Sequence, residues 1–251
     1  MQDKVRQNLA LLMKYITQKG FVSVQQLMDD HHLSKSTANR YLNALEEDGK
    51  IRRRYGSVIA ATSEPAYIMN MGDSPYFLEQ SRIGHYAATL VEDRDVVFVG
   101  TGKTCFELYR NLNAQALTVF TNSALCAVYR NREIQTLHML GGEVLDDGVV
   151  LGSMGISNLA QINPDKIFFS AAAMSSRYEI QYRYDVERQY IETLISMRGK
   201  KYLLLDSSKL DKQSPFYLNC LQHIQTLIVD DGIQLAARED IQALGIEVIV
   251  V

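Results

Sequence analysis

The 251-residue chain is 47% hydrophobic and 22% charged, the balance of a soluble globular protein with room for one large domain or a large and a small one. No apolar run reaches the roughly 18 residues of a membrane span, and the opening MQDKVRQNLA lacks the basic-then-apolar layout of a signal peptide, so a cytoplasmic location is expected. The net charge of −3 is unevenly spread: residues 1–60 hold ten Lys/Arg against six Asp/Glu, a net of +4, and residues 61–251 hold sixteen against twenty-three, a net of −7. A basic piece on an acidic body separates two tasks, the first directed at a polyanion. Cys105, Cys126 and Cys220 lie far apart in mostly apolar settings. They show neither disulfide nor metal spacing and read as buried core thiols; no metal and no cofactor is indicated.

In chain order, Leu9, Leu12, Met13 and Ile16 recur at helical spacing and predict a first helix over about residues 3–18, ended by Gly20. Ser23 followed by Gln26 forms a capping box for a short second helix ending near His32. His31 and His32 read as surface or cap residues there rather than as ligands. Ser34 caps a third helix, on which Ala38, Leu42 and Leu45 point one way. Ser36, Asn39, Arg40 and Asn43 fall on another face, uniformly hydrogen-bonding and free of acids, with Glu46, Glu47 and Asp48 crowding the far end. Two short helices joined by a tight turn, the later one carrying such a face, read as helix-turn-helix. The later helix would lie in the major groove, where Asn and Arg contact base edges. KIRRRYGSVIA then supplies two short strands around a Tyr55-Gly56 turn, a wing whose Arg52, Arg53 and Arg54 would meet phosphates. Taken alone the arginine run is a solvated face; its place after such a helix, in a basic segment, points to DNA. Lys35, Ser36, Thr37, Asn39, Arg40, Asn43 and the three wing arginines are the candidate DNA-binding residues.

Residues 61–80, with Pro65, Gly72 and Pro75 and no clear period, read as a linker. Beyond it, apolar runs at 96–100, 117–122, 134–142, 166–172, 201–208, 226–231 and 246–251 alternate with helical stretches near 82–91, 104–112, 123–130, 153–161, 186–198 and 234–243. Runs apolar on both faces, separated by helices, predict an α/β domain over 81–251 with a mainly parallel sheet covered on both sides. Ligands of such sheets bind beyond the strand C-terminal ends. One run ends in Gly100-Thr101-Gly102-Lys103-Thr104 and opens a helix, where backbone amides attract an anion. It is not a Walker A loop, whose four-residue spacer before G-K-[ST] is absent. Asn122 ends the next run, Gly141 and Gly142 end another, and DSSK with Lys209 ends a fourth. Any one of these could serve turn geometry alone. Four in one sheet, two with a lysine, suggest a phosphorylated or carboxylated small ligand.

These residues resemble the DeoR family of bacterial transcription regulators over nearly the whole chain. The resemblance is carried by GFVSVQQLMDDHHLSKSTANRYLNALEEDGKIRRRYG and then, in the family's order, by VFVGTGKTCFEL, TVFTNS, LGGEV, KIFFSAA and LLLDSSK. It implies a winged helix-turn-helix joined to a sensor related to ribose-5-phosphate isomerase and glucosamine-6-phosphate deaminase. It also implies a sugar-phosphate effector, a homo-oligomer (dimer or tetramer) and control of a carbohydrate operon. The chain departs from the family where T-I-R-R-D-L becomes Thr37-Ala38-Asn39-Arg40-Tyr41-Leu42, so a different operator is expected. The wing's H-G-G becomes Tyr55-Gly56-Ser57, and the effector loop's D-S-G-T-T becomes Gly100–Thr104, losing an acid and gaining a lysine. The family's glycine-containing segment is replaced by MSSRYEIQYRYDVERQY, from which Asp185 is carried over as a candidate pocket acid. That segment suits an oligomer contact equally well.

Three functions fit these features. The first is a DNA-binding regulator, with repression released by ligand the commoner arrangement in the family. The alternative is a sugar-phosphate isomerase-type enzyme with an accessory DNA-binding domain, which would need positioned acid–base carboxylates. Asp206, in DSSK, is the acid among the strand-end residues singled out above. The third, a DNA-architectural protein, would have no use for a row of pocket-forming strand ends.

Overall fold

The computed structural model describes residues 2–19, 21–54, 57–60, 74–145 and 147–251. The chain divides into two compact units, residues 1–78 and 79–251.

In the first unit, α1 (Gln2–Lys19) leads through β1 (Phe21–Ser23) into α2 (Val24–Asp30) and α3 (Lys35–Glu47), followed by β2 (Ile51–Arg54) and β3 (Ser57–Ala60). The capping residues act as their chemistry requires. The Ser23 hydroxyl accepts from the Gln26 amide at 2.9 Å, and Ser34 from the Thr37 amide at 3.3 Å, satisfying donors that a helix start leaves open. Between the two helices His32 turns the chain at φ 50°. Leu12, Ile16, Leu27, Leu42 and Leu45 fill a common core with Ile51 and Val58 of the strands. Each such side chain contributes about 1.5–3 kcal/mol by leaving water. Strands β2 and β3 form the antiparallel hairpin of the wing, and the short β1 adds to β3 on its other side, a pairing the sequence did not signal. The Tyr55-Gly56 turn lies outside the described residues.

The second unit is built on a seven-stranded sheet. Its strands are β4 (Val96–Val99), β5 (Thr118–Thr121), β6 (Thr136–Met139), β9 (Lys166–Phe169), β12 (Lys200–Leu204), β14 (Thr226–Val229) and β15 (Glu247–Val250). They lie in the order β15-β14-β12-β9-β4-β5-β6, and every neighbouring pair is parallel. All seven apolar runs seen in the sequence are these strands. Helices α4 (Phe77–Ala88), α5 (Lys103–Asn111), α6 (Ala124–Val128), α7 (Ser153–Leu159), α8 (Val186–Ser196) and α9 (Leu235–Ala243) correspond to the six predicted ones. Helix α4 begins at Phe77, so the last residues assigned to a linker are helical, and residues 61–73 lie outside the described ones. Central strands are buried beyond their first residues, as at Val97, Phe98, Phe168, Leu203 and Leu227. At the β6 edge His138 and Met139 are exposed, so that run is not apolar on both faces in the structure. Two smaller pieces were not expected: a hairpin of β7 (Glu143–Val144) and β8 (Val150–Leu151), and an antiparallel sheet of β10 (Ala173–Met174), β11 (Ile180–Tyr182) and β13 (Phe216–Leu218). Among the described residues no helix is long and apolar enough to cross a membrane.

Candidate functional site

Helix α3 turns Ala38, Tyr41, Leu42 and Leu45 inward. Lys35, Ser36, Arg40 and Asn43 are exposed, while Thr37 and Asn39 are half-buried. At its start the Ser34 hydroxyl lies 3.1 Å from that of Ser36 and 2.9 Å from that of Thr37. The Arg40 guanidinium sits 5.3 Å from the centre of the Tyr41 ring. The wing strand is tied to this helix through Arg53. Its Nη1 donates to Asn43 Oδ1 at 2.6 Å, its Nη2 to Asn39 Oδ1 at 2.8 Å, and its backbone N–H to Glu46 Oε1 at 3.0 Å. Two expectations change accordingly. The polar face of α3 does include an acid, Glu46, and Arg53 is engaged by the helix rather than turned wholly outward. Strand alternation puts Arg52 on the opposite side of β2, where it is exposed. The side chain of Arg54 lies outside the described ones.

In the second unit the sheet order reverses between β4 and β9, since the chain runs outward to β6 from one and to β15 from the other. At such a reversal the two adjoining crossovers diverge and leave a crevice beyond the strand ends. Gly100, whose N–H donates to Phe168 O at 2.8 Å, continues β4 into Thr101 and Gly102. Gly102 precedes α5 with φ 101°, a backbone setting that requires glycine although an added Cβ would stand 3.7 Å from the nearest neighbour, Ser170. Lys103 and Thr104 then open α5, whose first-turn amides have no acceptor within the helix. From the other side, a 3-10 turn over Ser207–Lys209 brings Lys209 across, and its Nζ donates to Ser170 Oγ at 3.1 Å. Nζ also stands 3.9 Å from Asp206 Oδ2. The Asp206 carboxylate is fully buried and accepts from Gln80 Nε2 at 2.9 Å and from the Ser208 hydroxyl. Burial lowers the Lys209 pKa below its ordinary value; Asp206 opposes this, and the positive charge of Arg183 adds to it. Thr104 Oγ1 and Asn122 Oδ1 are buried and have no hydrogen-bond partner among the described residues. An unsatisfied buried oxygen is costly and marks a place where a donor fits.

Gly100–Thr104 and Lys209 thus converge on one crevice. Asn122 ends the adjacent strand, its Nδ2 donating to Val150 O at 3.3 Å. Gly141 and Gly142 have a packing role. A Cβ on Gly142, at φ 152°, would meet Leu151 O at 2.3 Å, and the Gly141 carbonyl lies 2.6 Å from where Gly155 would carry one. These glycines let the β7–β8 hairpin and α7 close onto the end of β6, two strands out from β4 and so on the order of 10 Å away. Asp185 is exposed at the start of α8 and caps nothing with its side chain. Glu187 does that work, accepting from the Arg183 and Tyr184 amides at 2.8 and 3.0 Å. Sequence reasoning missed Ser170, Arg183 and Gln80. Gln80 reaches Asp206 across 126 positions, a pairing no local pattern can announce.

The description "DeoR C terminal sensor domain" matches residues 78–231 of the chain and "DeoR-like helix-turn-helix domain" matches residues 9–64. The lactose phosphotransferase system repressor of Staphylococcus epidermidis is 30% identical over 243 residues, covering 92% of this chain and 93% of its own. That of Lactococcus lactis is 29% identical over 85% of this chain and 86% of its own. The regulator UlaR of Escherichia coli is 25% identical over 95% and 96%. Among solved structures, ribose 5-phosphate isomerase A of Methanocaldococcus jannaschii is 18% identical over 52% of this chain and 53% of its own, with a TM-score of 0.35. The chain is a member of the DeoR family of transcriptional regulators, with the family's helix-turn-helix domain at its N-terminus and its sensor domain after it.

Proposed function

We propose that this regulator represses a carbohydrate-utilisation operon and that a phosphorylated sugar, bound at the crevice between β4 and β9, modulates its hold on the operator. The supporting observation is Lys209, a partly buried cation whose side chain is 23% exposed, set against Ser170 and facing the loop that opens α5. An anion there would offset the burial that now depresses the Lys209 pKa, and would take hydrogen bonds from helix-start amides. The names of the lactose phosphotransferase system repressors favour the carbohydrate assignment. In the DNA-binding unit, α3 would enter the major groove and Arg52 would meet phosphate. Residues 81–251 would also hold the protomers of a dimer or tetramer together.

Binding rather than turnover is the reading Asp206 supports. A general base must reach substrate, whereas this carboxylate is fully buried, with Gln80 on one oxygen and Ser208 on the other. It supports Lys209 from beneath. A panel of sugar phosphates tested by thermal shift checks the proposal. A ligand at one hundred times its Kd should stabilise by about 2.7 kcal/mol. Lys209→Met should keep DNA binding and lose this response. A variant that responds like the parent protein would show that Lys209 is a surface cap and not part of the site.

A further inference from the structure

We propose that Arg53 is a positioning residue that sets which bases the recognition helix can read, by fixing the direction of the Asn39 and Asn43 amides. The inference rests on α3 being the base-reading helix. A guanidinium carries five N–H donors and no acceptor, so an amide that faces it must turn its oxygen toward it. Arg53 meets an amide oxygen with each of its two terminal nitrogens, Asn43 Oδ1 at 2.6 Å and Asn39 Oδ1 at 2.8 Å. Asn39 and Asn43 are four residues apart and stack on one helix face, which is the separation a forked side chain can bridge. The fork is itself anchored. Ile51, two residues earlier on the same face of β2, is buried, and the Arg53 amide donates to Glu46 Oε1 at 3.0 Å.

With both oxygens drawn toward the wing, each amide turns its NH2 end away from it. The helix then presents two donors instead of two groups free to flip. In the major groove guanine offers two acceptors, N7 and O6, thymine offers O4, adenine offers N7 beside an amine, and cytosine offers an amine. The bidentate pairing of asparagine with adenine needs both ends of the amide directed at the base. A restrained pair of donors therefore favours guanine or thymine at two neighbouring positions, disfavours cytosine, and gives up the adenine pairing. Arg53 acts here through the asparagines and not through a phosphate.

Selection from a randomised DNA library with the full chain tests this, with salt titration in parallel. Asn39→Ala and Asn43→Ala each identify the position read by that residue, as the one where preference relaxes. In the parent protein guanine or thymine should prevail at both. In Arg53→Ala the ratio of adenine to guanine and thymine should rise at least about fivefold at both, the amides having been released. Asn39→Asp keeps an oxygen for Arg53 but presents a second one outward, so its position should move toward cytosine, whose amine donates. Arg52→Ala should lower the magnitude of the salt slope by about 1 with preference unchanged, and Arg53→Ala should lower it less. If Arg53→Ala retains the parent preference and loses a full unit of salt slope, Arg53 is a phosphate contact and the proposal is wrong. If both asparagine variants lose affinity equally on all sequences, α3 is not the reading helix and the proposal falls with that reading.

Discussion

Cys105, Cys126 and Cys220 are free and buried, as their apolar surroundings indicated, and burial pushes each thiol from an ordinary 9.0 up to about 12. In the unfolded chain they release their protons first. Their contribution is therefore fully present below pH 9.0 and is lost as pH rises toward 12, at a slope of about 1.4 kcal/mol per pH unit for each thiol. Lys209 acts the other way: its lowered pKa means that the unfolded chain holds a proton the native state does not, so its share of stability rises as pH climbs toward 10.5. Lys201, also lowered by burial, acts as Lys209 does, while Tyr109 and Tyr178, pushed from 10.0 up to about 12, act with the three thiols and leave the fall dominant. The melting temperature of the full chain should fall steeply above pH 9, and a Cys105→Ala, Cys126→Ala double variant should fall less steeply from whatever starting value it has. Parallel curves for the two proteins would remove the thiols as the cause.

Among the elements, α4 and α5 touch through Gly84. A Cβ there would lie 2.4 Å from the Glu107 Cβ and 2.6 Å from the Leu108 nitrogen, so backbone would have to yield. Overpacking of this kind costs about 1–3 kcal/mol, and a unit of this size loses roughly 2–4 °C per kcal/mol. Gly84→Ala should thus lower the melting temperature by about 2–12 °C. Because α5 begins at the loop of Gly102–Thr104, the same change should also weaken the response to sugar phosphates; an unaltered response would confine Gly84 to a packing role. The large elements were legible because seven apolar runs and six helical periods each span enough residues to show a repeat. The β7–β8 hairpin and the β10-β11-β13 sheet were not, since strands of two or three residues carry no period and include polar Glu143 and Gln181. The crevice was readable at Gly100–Thr104 and Lys209, which sit at strand ends. Gly141, Gly142 and Asp185 were harder to place, because a turn glycine and an exposed acid look the same in sequence whether they bind or only shape the chain. The link from Arg53 to Asn39 joins a strand to a helix and leaves no local trace.

For the whole molecule, the division of charge sets what each unit can do. A single winged helix buries about 600–1,000 Å² on DNA, and a body of net −7 is repelled by phosphate. Two basic units held by paired bodies would engage two half-sites, and the second contact would gain from effective concentration. Residues 79–251 alone should therefore sediment as a dimer or tetramer at micromolar concentration, and residues 1–60 alone should be monomeric and bind DNA far more weakly than the full chain. A monomeric sensor fragment, or an N-terminal fragment as tight as the parent, would contradict this arrangement.

The strand order also governs how the protein is made. β4, emerging early, pairs on one side with β5, which follows soon after, but on the other side with β9, which starts only at Lys166. At about 5–20 residues per second of synthesis, this inner strand of the finished sheet keeps an open apolar edge for several seconds. The first unit, whose strand pairings all close within residues 21–60, has time to fold before then. A chain stalled between Met139 and Lys166 is thus a completed DNA-binding unit on half a sheet, able to occupy DNA yet deaf to any ligand and prone to aggregate through β4. Chaperone demand should track this waiting interval rather than the length of the chain.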